Sequence, residues 1–287
     1  MAILLKGAAA AAAMAEDSAA RAVALHQQGV KPKLAIVRMG ERPNNLSYEK
    51  SAIKRCEKIG VDYELFQLPE DAPQQQLEDI IRGINNNDEI HGCLMFRPLP
   101  AHIDEGEVCA FLRPDKDVDG ITHASISGVY TDSGEGYPPC TAKSCMTILQ
   151  HYGISISGKR VVVLGRSLVV GKPVAMLLLQ QDATVTLCHS KSENLREICQ
   201  EADIIIAAIG RMELVDSGFV RKDGTQTIID VGIHAKDGKL TGDVNFADVE
   251  PYVGAITPVP GGIGSVTTSI LIEHVLCAAE IAAKKKA

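Results

Sequence analysis

The chain has 287 residues, which is enough for two domains of ordinary size. Its 46% hydrophobic and 23% charged residues are typical of a globular protein. A net charge of -7, the lack of tryptophan and an aromatic content of 4% argue against nucleic-acid binding through phosphate contacts or stacked bases.

Strand-like and helical segments alternate along the first half of the chain. A short AILL strand precedes an alanine-rich helix, which we do not interpret as a signal peptide because Lys6 interrupts the apolar run and Glu16 follows it. Further strands are predicted at 33–40, 61–69 and 91–100, and helices at 45–60, 74–86 and over EGEVCAFLRP. This βαβ order predicts an α/β domain with a parallel sheet.

The second half continues the alternation. Helices are predicted at 141–153, 171–181, over ENLREICQEA and at 265–286, and strands at 159–165, 183–189, 203–210 and 226–233. No apolar run is long enough to predict a membrane-spanning helix. The Gly- and Pro-rich segment at 134–141 marks the expected domain boundary. We therefore expect a first domain of 1–140, completed by the final helix at 266–287, and a second domain of 141–265.

The eight cysteines are scattered through apolar segments and form no CxxC pair. The sequence therefore predicts neither a metal site nor a disulfide framework. Free thiols distributed in this way are typical of the reducing cytosol, so we expect a cytoplasmic protein.

The segment VVVLGRSLVVGKP has the order strand, glycine loop, helix. Gly165 and Gly171 leave room for a pyrophosphate at the helix N-terminus. The spacing is GxSxxxG, not GxGxxG, so a glycine turn that only tightens the connection is the alternative.

The end of the next strand bears on the choice of cofactor. A site for NAD usually has an acidic residue there, which binds the ribose hydroxyls. Here the strand TVTLC is followed by His189, Ser190 and Lys191, without a carboxylate. Arg166 and Ser190 could together bind a 2′-phosphate, which favours NADP.

Four loops combine polar or aromatic residues with turn residues: the start of the Tyr48 helix, FRPLP at 96–100, PDKDVDG at 114–120 and TPVPGGIG at 257–264. Each follows a strand or begins a helix, where α/β proteins bind ligands, although each alone also has a purely structural interpretation. Together with GRSLVVGKP, ATVTLCHS and DVGI, these loops resemble the methylenetetrahydrofolate dehydrogenase/cyclohydrolase family. The resemblance extends from AILLKG to the final helix.

The resemblance implies two α/β domains, an N-terminal βαβ catalytic domain and a Rossmann-type NADP-binding domain. It also implies a homodimer, a tetrahydrofolate derivative as substrate in the cleft between the domains, and a final helix that packs back on the first domain. Tyr48 would pack on the folate, and Asp119 would bind the paired N–H donors of its amino-pyrimidine.

The remaining site residues are assigned by the same resemblance. The expected catalytic residues are Tyr48, Lys54 and Asp119. The substrate site would add Phe96, Pro98, Leu99, Pro260, Gly261 and Gly262. The cofactor site would comprise Gly165, Arg166, Ser167, Gly171, Pro173, His189, Ser190, Ile233 and Thr267.

The sequence departs from the family pattern at one catalytic position and at its partner. The family's catalytic lysine lies four residues after the tyrosine, and that position is Ala52 here. The glutamine that partners this lysine, two residues before PLP, is replaced by Phe96. Both residues of one interaction are therefore absent.

Hydride transfer moves no proton and depends mainly on the positions of the two reactants. Hydrolysis of the methenyl product needs a base for water and an acid for the leaving nitrogen, a contribution of about 10²–10⁴-fold. We therefore predict NADP-dependent oxidation of 5,10-methylenetetrahydrofolate to the 5,10-methenyl form, with weak or absent cyclohydrolase activity.

Three alternatives remain open. The enzyme could be fully bifunctional if another group, such as Lys54, Arg55 or a water held by Tyr48, replaces the lysine. It could also be an NADP dehydrogenase of the amino-acid or shikimate type. Finally, it could bind folate and nucleotide without catalysis.

Overall fold

The structure is a computed structural model that describes residues 2–236 and 238–286. The chain divides into two compact units. The three-stranded unit comprises residues 13–140 and the chain from 268 onward, and the six-stranded unit comprises the chain through residue 12 and residues 141–267.

The three-stranded unit contains a parallel sheet in the order β3-β2-β4. Its strands are β2 (Lys33–Met39), β3 (Asp62–Leu68) and β4 (Gly92–Met95). Its helices are α2 (Pro43–Ile59), α3 (Gln74–Asn86), α4 (Glu105–Phe111) and α5 (His123–Thr131), together with most of α1 (Gly7–Gln27) and α10 (Thr267–Lys286). Alternate residues of β2 (Ala35, Val37 and Met39) are buried in one core with apolar residues of α3 and α4, as the period of a strand requires.

Helix α2 has clear start and stop signals. Pro43 occupies the first turn, where its missing N–H costs no hydrogen bond. Gly60 ends the helix in the left-handed conformation at φ 87° and donates its N–H to the carbonyl of Cys56. The helix between these residues is regular, so the angular positions of its side chains follow from their spacing.

The six-stranded unit contains a parallel sheet in the order β1-β11-β8-β7-β5-β6. Its strands are β1 (Ile3–Leu4), β5 (Arg160–Leu164), β6 (Thr184–Cys188), β7 (Ile204–Ala207), β8 (Thr227–Asp230) and β11 (Ala255–Ile256). Its other elements are α6 (Cys140–His151), α7 (Gly171–Leu179), α8 (Leu195–Gln200), the hairpin β9 (His234–Lys236) and β10 (Lys239–Thr241), and α9 (Phe246–Val249). The central strands β5, β7 and β8 are buried except at Arg160 and are mostly apolar, as expected of a parallel sheet covered on both faces.

Some elements differ from those predicted. The strand predicted at 91–100 ends at Met95, because the prolines that follow cannot donate to a sheet ladder. Helix α5 and the β9–β10 hairpin were not predicted. The first strand, which we expected in the domain of residues 1–140, pairs with β11 and belongs to the six-stranded unit, as do residues 266 and 267.

The α/β fold with parallel sheets is confirmed, and the final helix clusters with the three-stranded unit from residue 268 onward. Within the described residues, no helix is both long enough and apolar enough to cross a membrane.

Candidate active site

The glycine loop of the six-stranded unit connects β5 to α7. Gly165 has φ 114°, and a Cβ at this residue would collide with the carbonyl of Ala208 beyond β7. A Cβ at Gly171 would collide with the carbonyl of Gly165 itself. Both glycines are therefore required for the loop to pack this closely against its own backbone and against the neighbouring strand end, and this tight turn brings the start of α7 to the edge of the sheet.

Two residues close in sequence, Ser167 in the loop and Pro173 in the helix, stabilise the start of α7. The Ser167 hydroxyl accepts hydrogen bonds from the N–H groups of Val170 at 3.1 Å and of Gly171 at 3.4 Å. Pro173 is buried in the first turn of the helix, where it needs no N–H partner. Ser167 therefore has a structural role here in addition to the cofactor role predicted for it.

The residues predicted to bind the 2′-phosphate lie at the same edge of the sheet, because β5 and β6 are parallel neighbours. The link is direct, since the N–H of Gly165 donates to the carbonyl of Cys188 at 2.9 Å. The side chains of Arg166 and Ser190 are exposed, and within the described residues no carboxylate pairs with Arg166. This set of donors suits a phosphate dianion and includes no carboxylate for the ribose hydroxyls.

His189 is part of a tight turn after β6. Its N–H donates to the hydroxyl of Ser192 at 2.9 Å, and its Nδ1 accepts from the N–H of Lys191 at 3.1 Å. The ring therefore has its proton on Nε2 when neutral. Ser192 was not among the predicted site residues, and the only signal for it was the serine-rich HSKS sequence.

A cavity of about 210 Å³ lies in the six-stranded unit, at the carboxyl end of β8. The TPVPGGIG loop lines it, together with Ile233, which is 62% exposed. The structure thus brings Ile233 together with Pro260, Gly261 and Gly262. The resemblance assigns Ile233 to the cofactor and the other three residues to the substrate. The nearby Thr267 is buried and donates to the carbonyl of Gly264 at 3.3 Å.

Two buried aspartates beside this cavity were missed by the sequence analysis. Asp230 accepts from the N–H groups of Gly232, Asp243 and Val244, while burial raises the pKa of Asp230 to about 6. Asp243 accepts from the N–H groups of Ile209 at 2.6 Å and Gly210 at 2.9 Å and from His234 at 2.8 Å. These bonds fix the loops that follow β7 and β8.

In the three-stranded unit, Tyr48 lies on α2 beside an aromatic partner. The ring of Phe96 meets the Tyr48 ring edge-on, with 5.9 Å between centroids and an interplanar angle of 85°. Such a contact is favourable beyond the area that it buries. Ala52, one turn after Tyr48, is completely buried. The lysine–glutamine pair of the family pattern is thus replaced by a methyl group and an aromatic edge.

Lys54 does not lie near Tyr48. In a regular helix it is about 240° around the axis from the tyrosine, and its side chain is exposed. The structure therefore gives no support to the predicted catalytic role of Lys54. Arg55 lies within about 20° of Tyr48 and is half-buried, which lowers the pKa of its guanidinium.

A buried ion pair, also missed by the sequence analysis, connects α2 to the end of β2. Arg38 Nε donates to Glu49 Oε2 at 2.9 Å, and Arg38 Nη1 donates to the carbonyl of Gly40. Both charged side chains are less than one-tenth exposed. Because Glu49 is adjacent to Tyr48, this pair fixes the rotation of α2 that determines where Tyr48 faces.

The DKDVDG loop holds Asp119 in a partly buried polar setting. Asp117 organises the loop by accepting from the N–H groups of Ile121 at 2.9 Å and Thr122 at 2.7 Å and from the Ser125 hydroxyl at 2.6 Å. Burial raises the pKa of Asp119 to about 6, against a hydrogen bond from the Cys140 thiol that lowers it.

The FRPLP loop is held by two hydrogen bonds at adjacent residues near its centre. The carbonyl of Pro98 accepts from Arg42 at 2.8 Å, and the N–H of Leu99 donates to Glu105 at 2.9 Å. The Arg97–Pro98 peptide bond is cis, and Leu99 is buried while Pro98 is exposed. Leu99 therefore packs within the unit, and Pro98 offers the exposed part of the loop.

Comparison with known proteins gives full-length matches. The family model described as "Tetrahydrofolate dehydrogenase/cyclohydrolase, catalytic domain" matches residues 5–119, and the one described as "Tetrahydrofolate dehydrogenase/cyclohydrolase, NAD(P)-binding domain" matches residues 139–283. The "Bifunctional protein FolD" of Carboxydothermus hydrogenoformans is 49% identical over 98% of both chains.

Solved structures agree with the sequence matches. The bifunctional enzyme FolD of Campylobacter jejuni superposes with a TM-score of 0.94 at 35% identity, over 98% of this chain and 99% of that one. The methylenetetrahydrofolate dehydrogenase-cyclohydrolase of Trypanosoma brucei, solved with NADP cofactor and inhibitor, gives a TM-score of 0.91 at 32% identity over 98% of both chains. This chain therefore belongs to the tetrahydrofolate dehydrogenase/cyclohydrolase family.

Proposed function

We propose that the chain oxidises 5,10-methylenetetrahydrofolate to 5,10-methenyltetrahydrofolate with NADP. The observation that carries the proposal is the tight glycine turn from Gly165 to Gly171 at the start of α7, with the exposed Arg166 inside it and the exposed Ser190 just after the neighbouring strand β6. Within the described residues, no carboxylate pairs with Arg166. Family membership supports the folate as substrate, and the NADP in the Trypanosoma brucei structure supports the cofactor.

The residues of this chain do not need to move a proton in the oxidation. The nicotinamide of NADP supplies the hydride acceptor. Asp119, when ionised, accepts from the paired N–H donors of the pterin, and the Tyr48 ring packs on the substrate. Phe96 holds the Tyr48 ring from one side, so the stacking surface is rigid. Positioning of this kind is the main contribution that the reaction requires.

Cyclohydrolase activity is the second candidate function, and some observations favour it while others argue against it. The names of the relatives, which are bifunctional, favour both activities in this chain. Ala52 and Phe96 argue for a slow hydrolase, because neither side chain can accept or donate the protons of that step. If the hydrolase is fast, its base is a group other than Lys54, since Lys54 faces away from Tyr48.

Paired rates on one preparation test both functions. Oxidation is measured from the absorbance of reduced cofactor, with NADP and with NAD, and hydrolysis from the loss of the methenyl chromophore. We expect a higher kcat/KM with NADP than with NAD and slow hydrolysis. Equal rates of hydrolysis and oxidation would establish the bifunctional enzyme, and tight binding of both ligands without turnover would establish a non-catalytic protein.

Two further predictions concern the cellular form of the protein. We propose a homodimer, as the resemblance implies, and sedimentation at micromolar concentration tests it. The cytoplasmic location stays a prediction from the cysteines, all of which are free thiols.

A further inference from the structure

Asp243 is a completely buried carboxylate that joins two loops at the carboxyl edge of the six-stranded sheet. Its Oδ2 accepts from the N–H groups of Ile209 at 2.6 Å and Gly210 at 2.9 Å, both in the loop after β7. Its Oδ1 lies 2.8 Å from Nε2 of His234, the first residue of β9. An ionised carboxylate only accepts, so His234 Nε2 carries the proton of this bond. One side chain therefore connects the loop that leaves β7 with the loop that leaves β8.

The backbone that carries this side chain is itself fixed. The carbonyl of Asp243 accepts from the N–H of Val215 at 3.0 Å. The N–H groups of Asp243 and Val244 donate to the two carboxylate oxygens of Asp230, each at 3.0 Å. A Cβ at Gly232 would collide with the Asp243 carboxylate, so the chain after β8 is packed directly against it. The Asp243 carboxylate is thus anchored independently of the two loops that it joins, and it can determine their positions.

The order of the strands indicates which part of the cofactor lies at these loops. The proposed 2′-phosphate site follows β6, and the predicted pyrophosphate site is the turn between β5 and α7. Strands β7 and β8 are the next strands on the other side of β5. A dinucleotide that runs along this edge from its 2′-phosphate through its pyrophosphate therefore brings its nicotinamide to the ends of β7 and β8. Ile233, which is 62% exposed and lines the cavity there, is adjacent to His234.

We propose that Asp243 is a positioning residue for the nicotinamide half of the cofactor. Its bond with His234 holds Ile233 at the wall of the cavity, and its bonds with Ile209 and Gly210 hold the loop after β7. The inference rests on the proposed function, which assigns NADP to this unit. Hydride transfer requires the two reacting atoms to lie about 3–3.5 Å apart, and a displacement of about 1 Å can cost about 100-fold in rate. Asp243 therefore acts on kcat more than on the affinity for the cofactor.

The test compares Asp243→Ala with Asp243→Asn. The asparagine keeps an amide oxygen for the N–H groups of the loop after β7, and its NH₂ can donate to His234 Nε2 when the ring takes its other neutral tautomer. Asp248→Ala is the matched control, because Asp248 belongs to the same unit and accepts the N–H of Ser217 at 2.7 Å. Among the described residues, the Asp248 carboxylate has no hydrogen bond with either loop.

The measurements separate positioning of the nicotinamide from a general loss of the site. They are kcat, KM for NADP, the isotope effect on kcat with substrate deuterated at the methylene carbon, and thermal unfolding of each variant. Calorimetric binding of adenosine 2′,5′-bisphosphate is added, because this probe has the 2′-phosphate but no nicotinamide.

In Asp243→Ala we expect kcat to fall by up to about 100-fold. The isotope effect should rise, because hydride transfer then limits the rate. KM for NADP should change only slightly, and binding of adenosine 2′,5′-bisphosphate should stay unchanged. The asparagine variant and the Asp248→Ala control should resemble the original protein.

An unchanged kcat in Asp243→Ala, or an equal loss in the asparagine variant, would overturn the proposal. A parallel loss of adenosine 2′,5′-bisphosphate binding would also overturn it, since Asp243 would then maintain the whole site. If Asp243→Ala unfolds, His234→Ala decides, because it removes only the bond to β9. We expect it to lower kcat by a smaller factor with unchanged binding of the probe, and an unchanged kcat there would refute the positioning role. Absence of folate-dependent NADP reduction in the original protein would instead refute the proposed function.

Discussion

Removal of one partner from the buried Arg38–Glu49 pair should destabilise the three-stranded unit strongly. The two side chains are 6% and 9% exposed and 2.9 Å apart, so Arg38→Met leaves a carboxylate with neither its partner nor much water. Loss of one member of such a pair costs about 3–5 kcal/mol, whereas replacement of both by apolar residues of similar size is often nearly neutral. The double variant Arg38→Met with Glu49→Leu should therefore recover most of the stability that the single variant loses.

Hydrogen exchange of the α2 and β2 amides is the appropriate assay, because it measures local opening even if the two units unfold separately. The matched control is Glu89→Ala in the same unit, which breaks an ion pair of 3.4 Å between Lys33 of β2 and a Glu89 side chain that is 80% exposed. That change should cost less than about 1 kcal/mol. If Arg38→Met costs no more than the control, or if the double variant is worse than the single one, the pair does not anchor α2. We also expect KM for the folate to rise in Arg38→Met, since the rotation of α2 directs Tyr48.

Three further predictions concern the ligand sites. Arg166→Ala should raise KM for NADP roughly tenfold or more, the effect of one lost charged hydrogen bond, and leave KM for NAD unchanged; equal effects on both would remove Arg166 from the 2′-phosphate site. The pKa of Asp119 is raised to about 6, so its ionised fraction falls as pH decreases through 6, and folate binding should weaken below that pH. Asp119→Asn should abolish this pH dependence of folate binding, and a pH dependence that persists in the variant would belong to another group. Ala52→Lys should raise hydrolysis relative to oxidation only slightly, because the position is completely buried, and the double change with Phe96→Gln should raise it more than the two single changes together; an unchanged ratio in a folded double variant would contradict the lysine argument.

The sequence predicted the glycine loop well because its signal is local. The order of strand, small residues and helix identifies Gly165 and Gly171, and the carbonyls that exclude side chains there belong to the loop itself and to the neighbouring strand end. By contrast, α5 was missed. Its capping threonine accepts the N–H of Ser125, but the helix has no strong apolar stripe, and the preceding DVDG turn suggested that the loop continued.

The buried ion pair of Arg38 and Glu49 could not be predicted, because each residue alone has the sequence pattern of an exposed charge. Arg38 follows Leu34 and Ile36 on one face of β2, and a charge at the end of a strand usually points to solvent. Only the position of Glu49 on α2 shows that the arginine is buried. In the same way, the hydrogen bond from the Cys140 thiol to the carbonyl of Val118 could not be recognised before the fold brought Cys140 to the DKDVDG loop.

The pairing of β1 with β11 has a consequence for synthesis on the ribosome. Ile3 emerges roughly 250 residues before its partner Ala255, so the two strands cannot pair until Ala255 has been synthesised. The strands of the three-stranded sheet, which lie between residues 33 and 95, are available much earlier. The six-stranded sheet can therefore be completed only late, and β1 remains unpaired until then. Removal of β1 should leave an edge of β11 unpaired, and truncation before residue 255 should leave an edge of β8 unpaired. Either unpaired edge would be exposed to pairing with other chains.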